Sequence, residues 1–169
     1  TSTVYNLDDA KKLSQTAAFM NKKAYVHIAV DTGMNRIGFK DCEESVAIIE
    51  KIYRLPNVFV EGIFTHFACA DCKDKTLMVS QKNRFDRFLS MLEENGVSIP
   101  VKHCCNSAAI IDSDYHYDMV RMGIALYGLY PSDEVMTDRV ELKPAMQVVS
   151  RVIHIKDVEA GEGIGYGYA

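Results

Sequence analysis

From Thr1 to about Leu142 this chain alternates two hydrophobic periods, and that alternation narrows its possible folds more than any other feature. Short runs rich in Val, Ile and Thr (residues 2–5, 26–31, 58–65, 101–103 and 119–121) read as strands. Segments with helical spacing lie between them. Asn6 offers a helix cap, Asp8 and Asp9 occupy the first turn, and Ala10, Leu13, Ala17 and Met20 form one face. Asp41 with Glu44 reads as a capping box before Val46, Ile49 and Ile52, and Pro56 ends that helix. A long helix carries Met78, Phe85, Phe88, Leu89 and Leu92, with Gly96 placed to close it. Asn106 and Ser107 open a short helix through Ala108 and Ile111. Strands alternating with helices predict an α/β fold with a parallel sheet and right-handed crossovers.

After Pro144 the texture changes. Residues 146–158 (MQVVSRVIHIKDV) form a long β-rich run with no amphipathic helix behind it, GEG turns the chain, and another strand is expected from Ile164. The expected organisation is therefore two units: residues 1–142, and residues 143–169 as the start of a mainly antiparallel β domain. The chain opens without methionine and closes just after GIGYGYA, so it is expected to be an interior piece of a longer protein.

Composition excludes several function classes. The 169 residues carry a formal net charge of −4, and Lys and Arg form no stripe, which argues against nucleic acid as a partner. No apolar run approaches the roughly 20 residues of a membrane span. The five cysteines are odd in number and two are adjacent, a pattern that suits a reducing, cytoplasmic setting better than a disulfide framework.

In parallel α/β folds the reactive groups sit beyond the carboxyl ends of the strands. Those ends supply Arg36, His66, His103, Ser107, Arg121, Gly123 and Ile124. Two arginines, two histidines, a hydroxyl at a helix start and a glycine turn suit an anion site with titrating groups. Each residue also has a plainer reading. His66 could be a satisfied polar core group, Arg121 could pair with an acidic neighbour, Ser107 could be a helix cap, and Arg36 could be a solvated turn residue. Their common address on successive strand ends favours the functional reading. His66, Cys69 and Cys72 offer a rival zinc-like spacing, less specific than paired CxxC motifs, and no metal site is expected.

Five blocks (VHIAVDTGMNRIGF, GIFTHFACAD, HCCNSAAII, MVRMGIALYGLYPS and GEGIGYG), in this order and spacing, resemble the pyridoxal-phosphate-dependent alanine racemases of fold type III. The resemblance covers essentially the whole chain. It implies a partial (β/α)8 TIM barrel, about strands four to eight, followed by the start of the β domain. It also implies pyridoxal 5'-phosphate as cofactor, a small amino acid as substrate, and a homodimer whose subunits share each active site. Arg121 matches the arginine facing the pyridine nitrogen, and His103 a residue that orients it. Ser107, Gly123 and Ile124 match phosphate contacts. Tyr166 matches the acid/base on one face of the substrate α-carbon, and His66 its neighbour. Arg36 matches the residue that binds the substrate carboxylate.

Two departures qualify the match. The lysine that the resemblance implies as Schiff-base residue and opposite-face base belongs to the first barrel strand, upstream of Thr1, so this chain alone is expected to be inactive. Many members carry at position 29 a lysine that becomes carbamylated and braces the arginine, where this chain has Ala29. Another means of holding Arg36, such as an anion, is then expected. The resemblance leaves open the serine/alanine racemase domain of vancomycin-resistance membrane proteins, and the zinc-binding reading with His66, Cys69 and Cys72 stands as a third alternative.

Overall fold

A strand buried on both faces must be apolar along its length, and residues 24–31 (AYVHIAVD) nearly meet that condition. In the computed structural model, which describes residues 1–168, they form the centre of a parallel sheet. The strands are β1 (Ser2–Val4), β2 (Ala24–Asp31), β3 (Phe39–Lys40), β4 (Val58–Phe64) and β5 (Val101–His103). Their order is β1-β2-β4-β5, with β3 paired to the end of β2, and every pairing is parallel. The β2–β4 ladder shifts register at Val26/His27. Gly62 lies at that shift, where a side-chain carbon would come within 2.5 Å of the His27 ring. A bare backbone at Gly62 is therefore what lets an imidazole lie across the sheet.

Three long helices connect the strands: α1 (Leu7–Phe19), α2 (Glu43–Tyr53) and α3 (Thr76–Glu94). Asn6 caps α1, its side chain accepting from Asp9 N at 2.8 Å. Ala10 and Ala17 are buried as the spacing predicts, whereas Met20, just past the helix end, is exposed. The apolar stripe of α3 packs as expected, with Phe85 and Phe88 completely buried. Each such phenyl contributes roughly 2–3 kcal/mol by burial. The helix closes with Gly96 in the left-handed region at φ +77°, Gly96 N donating to Glu93 O and Val97 N to Leu92 O. These are the two bonds of a Schellman closure, and buried Val97 and Leu92 supply its apolar contact.

Three local expectations are corrected. Asp41 does not cap α2, whose N-cap is Cys42. Its carboxylate forms a bidentate pair with Arg84, Nε to Oδ2 at 2.8 Å and Nη2 to Oδ1, and a longer contact with Arg87 at 3.3 Å. A fork of guanidinium donors matches a carboxylate better than two backbone amides do. The Arg84 bond holds the Asp41 carboxyl below its usual range. Asp41 thus ties the start of α2 to α3.

Met119–Arg121 does not form a strand. The segment runs beside β5 with backbone bonds only from Asp118 N to Lys102 O and from Arg121 N to Cys105 O. The Lys102 amide that would extend the ladder donates instead to the Asp118 carboxylate at 2.8 Å.

Residues 146–158 form no strand either, and Val148 and Ile153 are 88% and 97% exposed. A strand needs a ladder partner, and none of the described residues provides one. Up to Ala145 the chain is still held, by Ala145 N donating to Tyr127 O and Tyr130 Oη donating to Val140 O. Ala169, part of the expected second unit, lies outside the described residues.

Candidate active site

The carboxyl ends of β2, β4 and β5 lie side by side, so the loops that follow them meet. The β2 loop is shaped by Asp31, whose Oδ1 accepts from the amides of Gly33 and Asn35, both at 3.0 Å. This Asx-type turn needs the positive φ of Gly33 (+136°) and Asn35 (+56°). It presents Arg36 at an exposed position beside His66, the two sharing a small hollow with Asp31, Met34, Ile37 and Phe64. Ala29 is buried, and the Asp31 turn leads into Arg36.

Behind this loop the polar groups are bonded to one another. Thr32 Oγ1 and Thr65 Oγ1 lie 2.7 Å apart. Gln81, buried in the apolar stripe of α3, donates to His66 O at 3.0 Å and Thr32 Oγ1 at 3.4 Å and accepts from Ala68 N at 2.9 Å. One α3 side chain thereby fixes the β2 and β4 loops relative to each other. The buried amide's full set of partners offsets the cost of placing it in a core.

Arg121 enters the site from the irregular segment beyond β5. Its Nη1 meets His103 Nδ1 at 2.5 Å, and its Nη2 spans Thr65 O (2.8 Å), Cys104 O (3.0 Å) and His66 Nδ1 (3.2 Å). The guanidinium lies over the Phe64 ring, 5.0 Å from its centroid. Burial pushes its pKa down, yet a guanidinium starts so high that it stays charged near neutrality. Burial and the Arg121 charge also depress both histidines: His66 to about 4, with Arg36 adding, and His103 to about 3, with His27 adding. Both rings are therefore neutral at neutral pH, and their Nδ1 atoms accept from Arg121.

That depression has a consequence for stability. Folded values of about 4 and about 3 lie below the ordinary 6.5, so the unfolded chain binds more protons across that interval. Stability rises with pH there and is lost on acidification from 6.5 downwards. The urea midpoint is expected to fall across this window, and less steeply for His66→Asn. A midpoint independent of pH between 6.5 and 4 would contradict the placement of both rings.

The short helix α4 (Ser107–Asp112) lies across the site. Its cap is Asn106, which accepts from Ala109 N at 3.1 Å, so Ser107 is not the cap. Ser107 Oγ instead accepts from Gly123 N (2.9 Å) and Ala125 N (3.2 Å), drawing the turn Ile124–Tyr127 against α4. Two accepted bonds occupy the oxygen's lone pairs and leave the hydroxyl proton to donate outward. Ser107, Gly123, Ile124, Arg121, His66 and Met34 all line one open cavity of about 570 Å³.

Seven of the eight residues singled out from the sequence thus gather at one end of the sheet. His103 lies just beneath, in contact with Arg121, and Arg36 stands at the rim. Tyr166 is not brought there, being fully exposed in the turn Tyr166–Tyr168. The zinc-like alternative is not assembled: among the described residues no three His, Cys, Asp or Glu side chains converge as ligands, and His66 Nδ1 faces Arg121. Sequence reasoning missed Gln81. Gln81 had a visible signal, a polar residue on the stripe Met78, Phe85, Phe88.

With this geometry in view, comparison with known proteins is informative. Residues 1–131 match the profile described as alanine racemase, N-terminal domain. The chain is 51% identical over 168 residues to the alanine racemase of Methanococcus maripaludis, covering 99% of this chain and 45% of that protein. It is 48% identical over 166 residues to the alanine racemase of Clostridium tetani, covering 98% and 43%. Among solved structures, alanine racemase of Clostridium difficile 630 matches with a TM-score of 0.93 at 48% identity, covering 98% of this chain and 43% of that one. The Bacillus anthracis alanine racemase with bound L-Ala-P matches at 0.85 and 33%, covering 99% and 44%. This chain spans a little under half the length of these relatives. The parallel β-α order of the matched residues accords with the TIM-barrel fold of that domain. Profile, identity and superposition agree that the chain belongs to the alanine racemase family.

Proposed function

We propose that the protein containing this chain is a pyridoxal-phosphate-dependent racemase that interconverts L- and D-alanine in the cytoplasm, the D-isomer serving cell-wall synthesis. Residues 1–142 are the later part of its barrel, about strands four to eight, and residues 143–169 begin a mainly antiparallel β domain. No helix among the described residues is long and apolar enough to cross a membrane. The observation carrying this reading is the single cavity shared by Ser107, Gly123, Ile124, Arg121 and His66 at the carboxyl end of the parallel strands.

The residues present suit the cofactor. A phosphate ester needs hydroxyl and amide donors, and the Ser107 hydroxyl proton is free to donate while the Gly123–Ile124 backbone lines the same wall. A carbon added at Gly123 would lie 3.3 Å from Ser107 Oγ, so a side chain there would crowd the hydroxyl. Bound pyridoxal phosphate supplies the electron sink that acidifies the substrate Cα–H.

With the cofactor bound, Arg121 would be the residue that meets its ring nitrogen, and a guanidinium, unable to release a proton, would leave that nitrogen unprotonated. The electron sink would then be a weaker one, favouring simple reprotonation at Cα over side reactions. His103 and His66 hold Arg121 as neutral acceptors. Arg36 at the rim binds the substrate carboxylate. Tyr166 is the acid/base on one face of Cα, acting in the partner subunit of a homodimer, and its complete exposure leaves it available to another protomer. No lysine of this chain is assigned to the opposite face.

The test uses the full-length protein loaded with pyridoxal phosphate and given L-alanine in deuterated water. D-alanine carrying deuterium at Cα is the expected product, with L-serine assayed alongside. A colourless protein yielding no deuterated alanine would overturn the proposal.

A further inference from the structure

Arg121 is a cation with an unusual set of partners: two carbonyls, two imidazoles and an aromatic face, and no carboxylate within ion-pair distance among the described residues. Burying a cation without a counter-charge is costly, so its surroundings must be electron-rich in another way. Following the hydrogen bonds outward from Arg121 identifies that source. His103 Nδ1 accepts from Arg121, so the neutral His103 ring carries its proton on Nε2. That Nε2 lies 2.7 Å from His27 Nδ1. A neutral His27 then accepts at Nδ1, which puts its proton on Nε2, in ion-pair contact with Glu61 Oε2 at 3.4 Å. Thr1 Oγ1 donates to the same oxygen at 2.8 Å.

The two hydrogen-bonded steps fit only one direction of donation: Arg121 to His103 and His103 to His27. Reversing any one bond would set an N–H of His103 against the Arg121 N–H. Two packing features hold the rings in register. Gly62 leaves the space above the sheet that His27 fills. Phe64 stacks on His103 at 4.9 Å and an interplanar angle of 15°.

We propose that Glu61 and His27 are positioning residues for Arg121: the carboxylate fixes the tautomers of both imidazoles and so presents His103 Nδ1 to the guanidinium as a bare acceptor. This deepens the racemase proposal and rests on its reading of Arg121 as the group facing the cofactor ring. The carboxylate oxygen acts by facing the His27 Nε2–H at 3.4 Å, so a neutral amide oxygen at the same place keeps the direction of the relay. An aliphatic side chain does not.

The test reads imidazole tautomers by nitrogen-15 NMR in the full-length protein stripped of cofactor, and then racemisation in the loaded protein. In the unsubstituted protein both His27 and His103 are expected as Nε2–H tautomers. Glu61→Leu is expected to lose the single tautomer at His27 and His103 and to slow racemisation about tenfold, the scale of an outer-shell partner, with the KM for alanine unchanged. Glu61→Gln is expected to keep the tautomers and most of the rate. A His103 ring found as the Nδ1–H form, or tautomers unmoved in Glu61→Leu, would overturn the relay. Because the tautomers are read without cofactor, that result stands apart from the racemase reading, which fails only if the loaded protein does not bind pyridoxal phosphate or racemise.

Discussion

Arg121→Leu is expected to reduce racemisation by about 10²–10³-fold, the cost of removing one preorganised donor from a site of this kind. The same change abandons four acceptors, the Thr65 and Cys104 carbonyls and the Nδ1 atoms of His66 and His103. Each unsatisfied buried group costs about 1–3 kcal/mol, partly offset because a desolvated charge is removed. A lowered melting temperature is therefore expected alongside the kinetic loss. Arg121→Lys separates the two effects. An ammonium keeps the charge but cannot reproduce the planar fork, so it should recover much of the stability and little of the rate. Rates measured from both enantiomers, with melting followed by circular dichroism, check this. A lysine variant with full activity would show that charge alone, not the geometry of the fork, is what the site needs.

Ser107→Ala is expected to weaken pyridoxal phosphate binding by about 10–100-fold. The estimate follows from losing one hydrogen bond to a charged group, about 1.5–3 kcal/mol. Its second consequence is structural: the amides of Gly123 and Ala125 lose their acceptor, so the turn Ile124–Tyr127 loosens from α4. Ser107→Thr retains the hydroxyl and should restore most of the affinity. Equilibrium titration of the apo protein with cofactor distinguishes the three proteins. Equal affinity in all of them would mean the phosphate is held elsewhere.

The parts of this fold that were legible in the sequence are those set by short-range physics. The stripe Met78, Phe85, Phe88, Leu92 and the stop at Gly96 appear as written, because burial period and left-handed closure are local properties. The strand ends were legible for the same reason, since a parallel sheet with short connections leaves the groups after β2, β4 and β5 few places to go. What could not be read depended on partners distant in the chain. Asp41 resembled a cap until Arg84, on another helix, offered a better donor pair. Met119–Arg121 has strand composition, but the Asp118 side chain takes the amide that a ladder would use. Residues 146–158 keep β character with no strand to pair with among the described residues. His27 and Glu61 lie on different strands, beside the register shift of the β2–β4 ladder, so their pairing could not be read along the chain.

Tyr166 illustrates a different limit. Its proposed role comes wholly from the family motif GIGYG, and within this chain it touches nothing in the site. The geometry supports the proposed contacts of Ser107 and Arg121 and carries none for the tyrosine.

The central claim is that the tips of β2, β4 and β5, with the segment beyond β5, form one receptacle for a phosphorylated pyridine. Titrating the full-length apo protein with pyridoxal phosphate, followed by visible absorbance, tests it most directly. Saturable, stoichiometric binding that Ser107→Ala and Arg121→Leu each weaken is the predicted result. Binding unaffected by both substitutions, or no saturable binding at all, would contradict it.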